Sequence, residues 1–282
     1  MDLDTVTDWT TARTRADLSR LGPGAAALAG GTWLFGEPQP GLRRLVDLTG
    51  MGWPALVEDD TGLEVAATCT VTCLDEHFAA SAWPTAGLVA ACVRAFASSP
   101  KVWQLATVGG NVCLALPAGP MISLLTALDA TALLWAVDGR DRRVRVEDLV
   151  TGPSRNDLAA GEVVRSFHVP ARTLAARTAY RRLALTREGR SGVVVVGRSD
   201  PDGAVALTVT AGTARPVRLG FAAPPTRAAL SAAVDGVDCW YDDHHGSAAW
   251  REAMARRLTA EVVGGLAAGE GGTQGGPEGG TP

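Results

Sequence analysis

Lysine is almost missing from this chain: Lys101 is the only one, and arginine supplies the rest of the positive charge. Lys+Arg total 26 against 30 for Asp+Glu, a formal net charge of -4. Nucleic-acid binding by counterion release needs a concentrated basic stripe, and none is present, so no nucleic-acid partner is expected. Cysteine is scarce as well. Cys69, Cys73, Cys92, Cys113 and Cys239 are odd in number and form no C-x-x-C pair. An iron–sulfur cluster wants four thiolates in close groupings, so none is expected here. The five read instead as free thiols of a reduced, cytoplasmic protein. No secretory segment is visible, because Met1 to Arg20 carries Asp2, Asp4, Asp8, Arg13, Arg15 and Asp17. The longest apolar stretch, Met121 to Val137, contains Asp129 and is too short to span a membrane. No G-x-S-x-G nucleophile elbow occurs.

What is present is 282 residues, 46% of them hydrophobic, enough for one large domain or two modest ones. Turn signals and apolar periodicity predict an α+β chain. Helices are expected over 11–21, 74–82, 85–97, 121–128, 226–234 and 247–263. Strands are expected at 25–29, 45–48, 62–72, 130–137, 143–146, within 158–169, and at 175–185, 192–196 and 205–210. Residues 107–120 show little regular periodicity. A composition shift near residue 170 divides the chain into a first domain, 1–170, and a smaller second domain, 175–265, built as a three-stranded sheet with helices. Residues 266–282 are Gly-, Glu- and Pro-rich and are expected to stay disordered.

Two segments ask for the same chemistry. Leu28-Ala29-Gly30-Gly31-Thr32 and Ala106-Thr107-Val108-Gly109-Gly110-Asn111 each set adjacent glycines directly after an apolar run, beside a threonine. Glycine pairs let backbone N–H groups converge on an anion without Cβ obstruction. The threonine hydroxyls and the Asn111 amide can add donors. Neither segment is a G-x-G-x-x-G fingerprint or a phosphate loop, so a nucleotide would lie between two separated turns. Taken singly, each is equally well a tight structural turn. Asp242-Asp243-His244-His245 reads as a solvated loop and helix N-terminus, since adjacent histidines rarely share one ion.

The ordered set Ala29-Gly30-Gly31-Thr32, Ala106-Thr107-Val108-Gly109-Gly110-Asn111, Pro117-Ala118-Gly119 and Ala127-Leu128-Asp129-Ala130 resembles the FAD-binding medium subunit of the xanthine dehydrogenase and carbon monoxide dehydrogenase family. The likeness continues through Tyr180-Arg181-Arg182, Arg215-Pro216-Val217-Arg218 and the segment from Gly246-Ser247 to Met254, covering roughly residues 5–263. The resemblance implies a two-subdomain FAD-binding fold of the vanillyl-alcohol-oxidase (PCMH) type, followed by the three-stranded domain. It implies FAD held by Leu28, Ala29, Gly30, Gly31, Thr32, Trp33 and Leu34, by Thr107, Gly109, Gly110 and Asn111, by Leu114, Leu116 and Pro120, and by Arg182. It further implies a [2Fe-2S] small subunit and a molybdopterin large subunit, in a dimer of heterotrimers, with electrons passing from molybdenum through the clusters to FAD and on to an acceptor such as NAD. No catalytic side chain and no metal ligand are implied in this chain.

The sequence departs from the family at Trp33, where aspartate is usual, and at Leu114, Leu116 and Pro120, where the family is polar. Trp33 either packs in the core or stacks on a cofactor ring. Arg182 replaces a lysine, and its planar fork is not a copy of an ammonium. Two lost hydrogen bonds at about 0.5–1.5 kcal/mol each would weaken FAD roughly 5- to 150-fold. That leaves a flavin-poor assembly subunit as one alternative, and a free-standing FAD oxidase as another.

Overall fold

The computed structural model describes residues 3–269. The chain opens on a parallel sheet. Its strands β1 (Asp8–Thr11), β2 (Ala25–Leu28) and β3 (Arg44–Asp47) lie in the order β1-β3-β2. The helix expected over 11–21 is reduced to a 3-10 turn at Arg15–Arg20. Thr14 and Asp17 form a capping box that starts this turn late, and Thr7 N donates to Arg43 O at 2.9 Å, which draws residues 8–11 into the sheet.

A hairpin of β4 (Leu56–Asp59) and β5 (Gly62–Ala66) follows. The strand expected to reach Thr72 stops at Ala66, because the Thr70 hydroxyl accepts from Cys73 N at 3.1 Å and begins α1 (Val71–Ala80). Next come α2 (Ala86–Arg94), a single turn α3 (Pro100–Trp103), α4 (Val108–Leu114) and α5 (Pro120–Ala127). The strands expected at 130–137 and 143–146 pair as a hairpin, β6 (Thr131–Trp135) and β7 (Asp141–Arg145). The short elements α6 (Val146–Leu149), β8 (Val150–Gly152) and β9 (Arg155–Asn156) lead to β10 (Val163–Pro170). The second sheet is antiparallel, in the order β4-β5-β10-β6-β7.

After α7 (Ala171–Leu174) the chain builds a third sheet from β11 (Arg177–Ala184), β12 (Ser191–Ser199), β13 (Val205–Thr210) and β14 (Val217–Phe221), antiparallel and in chain order. It has four strands, not the three expected. Val217, Leu219 and Phe221 alternate onto the core while Arg218 and Gly220 interrupt the apolar pattern, which hid an edge strand. Helix α8 (Arg227–Asp235) packs against α9 (Ala248–Ala268), which covers this sheet, and Leu230 of α8 joins the same core. α9 continues to Ala268, through residues expected to begin the unstructured tail. Val262 and Leu266 are buried, and both reach Gly197 of β12, where a Cβ would stand 2.3 Å and 3.0 Å from their methyls. The remainder of that tail, 270–282, lies outside the described residues.

α5 joins the parts, with all eight of its residues buried. The main core runs from Leu63 and Phe78 through Ile122 and Leu125 to Val194, Val196 and Ala211 of the third sheet. Each such aliphatic side chain contributes about 1.5–3 kcal/mol by leaving water. The seam is also bonded: Ser123 Oγ and Thr210 Oγ1 lie 2.6 Å apart, and Ala211 N donates to Pro117 O at 2.8 Å. Among the described residues no helix is long and apolar enough to cross a membrane.

Candidate functional site

The first glycine turn leaves β2 at Leu28, which is buried beside Leu42 and Leu45. A Cβ on Gly30 would lie 1.7 Å from the Leu105 carbonyl oxygen, so only glycine lets the two backbones meet. Gly31 has φ +69° and faces the Phe35 ring. The chain then winds into a helical turn, with Phe35 N donating to Gly31 O at 2.8 Å and Glu37 N to Trp33 O at 3.1 Å. Among the described residues, no backbone N–H from Gly30 to Leu34 donates a hydrogen bond. These groups have the arrangement of a helix N-terminus or nest, which suits an anion.

The second turn is different. Thr107 is the N-cap of α4, not part of a free loop. Its hydroxyl accepts from Gly110 N and its carbonyl from Asn111 N, each at 3.0 Å. Val108 N donates to Cys69 O and Gly109 N to Ala67 O, each at 2.9 Å. The N–H groups expected to converge on an anion are therefore committed inside the protein. Gly109 is needed for contact, since a Cβ there would be 2.5 Å from the Ala67 methyl. The Asn111 side-chain oxygen accepts from Met121 N at 3.0 Å and so ties α4 to the start of α5.

Both turns border one cleft of about 910 Å³. Ala29, Gly30, Gly31, Thr32, Trp33 and Leu34 line it, as do Thr107, Gly109, Gly110, Asn111, Leu114, Leu116 and Pro120. Trp33 stands in this wall at 38% exposure and is not a core residue. Two of the expected site residues lie elsewhere. Leu28 faces the core. Arg182 turns onto its own hairpin, donating to Ser191 Oγ at 2.7 Å, to Arg187 O at 3.2 Å and to Gly189 O. Arg190, at the end of that hairpin, lines the cleft instead.

Sequence reading missed Arg190, because the Tyr180-Arg181-Arg182 motif pointed to the other strand. It also missed the apolar wall of Leu21, Phe96, Val102 and Leu158. Of the lining residues only Glu162 and Arg190 are charged. The Arg142 guanidinium bonds Glu162 at 2.7 Å and holds its carboxyl below the usual range. Burial pushes the Cys113 thiol up to about 12, so this cleft residue stays neutral. Among the described residues no group of three or more His, Cys, Asp or Glu could hold a metal. Asp243 instead accepts from Arg251 at 2.5 Å, and Asp242 from Ala248 N at the start of α9 at 3.1 Å.

At about 910 Å³ the cleft is large enough to take a nucleotide cofactor, and comparisons with known proteins point the same way. Residues 5–172, more than half of the chain, match the family described as the FAD binding domain in molybdopterin dehydrogenase. The glyceraldehyde dehydrogenase medium chain of Sulfolobus acidocaldarius is 39% identical over 70 residues, 25% of each chain. The nicotinate dehydrogenase FAD-subunit of Eubacterium barkeri is 31% identical over 117 residues, 38% of this chain and 36% of that one. The chain thus spans 25% and 36% of the lengths of these two relatives. In fold it resembles carbon monoxide dehydrogenase from Hydrogenophaga pseudoflava, with a TM-score of 0.78 at 20% identity over 93% of this chain and 98% of that one. The chain belongs to the family of FAD-binding domains of molybdopterin dehydrogenases.

Proposed function

We propose that this chain is the FAD-carrying, electron-transferring subunit of a molybdenum hydroxylase complex. The observation that carries the reading is the shelf of uncommitted N–H groups from Gly30 to Leu34, fixed against Leu105 at the edge of a dinucleotide-sized cleft. Cavities of about 300–1,000 Å³ with few polar groups are the usual form of cofactor sites. The residues present fit FAD. The Gly30–Leu34 N–H groups would face its diphosphate, Gly109 and Gly110 would flank it closely, and Trp33 would offer a ring face. Leu114, Leu116 and Pro120 would border the remainder.

When bound, FAD supplies the redox chemistry; the protein supplies binding, orientation and charge. Residues 1–170 would form the cofactor domain and 175–265 would close its far end. All five cysteines are free, and no cluster-type grouping exists among them, so [2Fe-2S] clusters would sit on a partner subunit and molybdopterin on another. A dimer of such heterotrimers in the cytoplasm, with NAD as the final acceptor, completes the proposal.

The test is the visible spectrum of the purified full chain, with the released flavin identified after denaturation. Bands near about 370 and 450 nm with one FAD per chain support the reading. A folded chain that stays colourless with added FAD and its partners overturns it. The apolar trio Leu114, Leu116 and Pro120 would then favour a flavin-poor assembly subunit.

A further inference from the structure

The charge of the cleft is unbalanced at one end. Glu162 is paired with Arg142, which also holds Asp157, whereas Arg190 is exposed and, among the described residues, has no hydrogen-bond or ion-pair partner. Its place is fixed all the same. Three donations from Arg182 hold the hairpin, and Arg190 directly precedes β12. β12 pairs with β13, Val194 opposite Thr210, and Ala211 N then bonds Pro117 O. Arg190 therefore belongs to the end of the cleft walled by Leu116 and Ala118. The uncommitted N–H groups lie beside Leu105, at the opposite end of α4. A seven-residue helix is about 10 Å long. With the diphosphate on the first turn, Arg190 would stand beside one end of the extended dinucleotide.

We propose that Arg190 stabilises the negative charge of the reduced FAD ring and so raises the reduction potential of the cofactor. The proposal rests on the reading of the cleft as an FAD site. Reduction of bound FAD would take two electrons, from a reduced iron–sulfur partner or from dithionite in the test, and one proton from water, and would add one negative charge to the ring. The new charge is shared by N1 and O2 of the ring, where a nearby cation favours it.

The experiment uses the full chain loaded with FAD, as wild type, Arg190→Gln and Arg190→Lys. Sulfite adds its lone pair to ring N5, with no leaving group, and moves negative charge onto N1 and O2. Its affinity is read from bleaching of the flavin band. Arg190→Gln is expected to weaken sulfite binding about tenfold and to lower the midpoint potential by about 30 mV, the equivalent for a two-electron couple. Arg190→Lys should recover part of both, and FAD affinity should change little. Unchanged sulfite affinity and potential in FAD-loaded Arg190→Gln overturn the proposal. So does a loss confined to FAD affinity, which would put Arg190 on the diphosphate. A wild-type chain that binds no FAD overturns the reading of the cleft, and this proposal with it.

Discussion

Arg198, with a side chain 1% exposed, donates to the Asp129 carboxylate at 2.7 Å across the seam between α5 and the third sheet. Arg172 and Arg218 approach the same carboxylate at 3.0 Å, and Asp200 takes Arg198 Nε at 2.6 Å. Burial alone would raise the Asp129 carboxyl. The hydrogen bond and charge of Arg198, with Arg218 and Arg172, hold it below the ordinary value of 3.8. Asp129→Asn should cost about 1.5–3 kcal/mol in urea unfolding, because Asp200 still pairs with Arg198. A depressed carboxylate stabilises above its unfolded value and loses that contribution as pH falls through its folded value. The stability gap between wild type and variant should therefore persist at neutral pH and close below pH 3.8. A gap unchanged in acid would show that charge is not its source.

Gly30→Ala puts a methyl 1.7 Å from a backbone oxygen that has no rotamer to escape into. Overpacking of this kind costs about 1–3 kcal/mol. The first turn must shift, and FAD affinity should fall by at least about tenfold, the equivalent of 1.4 kcal/mol. Gly87→Ala, in α2 with nothing near its Cβ, is the control and should be neutral or slightly stabilising. Equal FAD affinity in both variants, by flavin fluorescence titration, would remove the shelf from the site.

Thr107→Ala removes the cap of α4. Loss of such a cap costs about 1 kcal/mol, and Thr107→Ser should restore most of it. Thermal unfolding of the FAD-free chain checks this. A stability change seen only when FAD is bound would mean that the hydroxyl serves the cofactor and not the helix.

Leu116→Ser combined with Pro120→Asp should tighten FAD, by roughly 5- to 150-fold if both new groups find partners. Pro120 is the first residue of α5, where a carboxylate is also favoured by the helix dipole. Isothermal titration with FAD decides the matter. Unchanged or weaker affinity would show a pocket adapted to apolar walls.

Much of this architecture could be read from residues alone, and the failures have identifiable causes. The glycine pairs were visible because close backbone approach leaves no other residue possible at Gly30 or Gly109. α4 was not visible. Glycine and asparagine are weak helix formers, and the helix exists through the Thr107 cap and the pairing of Val108 and Gly109 with residues 67–69. The end of α9 was hidden for a similar reason. Gly264 and Gly265 read as a break, yet Leu266 has a surface to bury on β12. β14 was lost to its interrupted pattern. Arg182 sits inside β11 and Arg190 just before β12, and sequence carries little information about which of the two a hairpin brings to the cleft.

The contact between Gly30 and Leu105 has one more consequence. The anion shelf is a product of tertiary structure, made where two distant stretches of chain touch. On the proposed reading, a truncated chain lacking residues near 105 would have no seat for the diphosphate. If FAD binds as proposed, donors already held against Leu105 would need little reordering, which would leave more of the interaction to retain the cofactor.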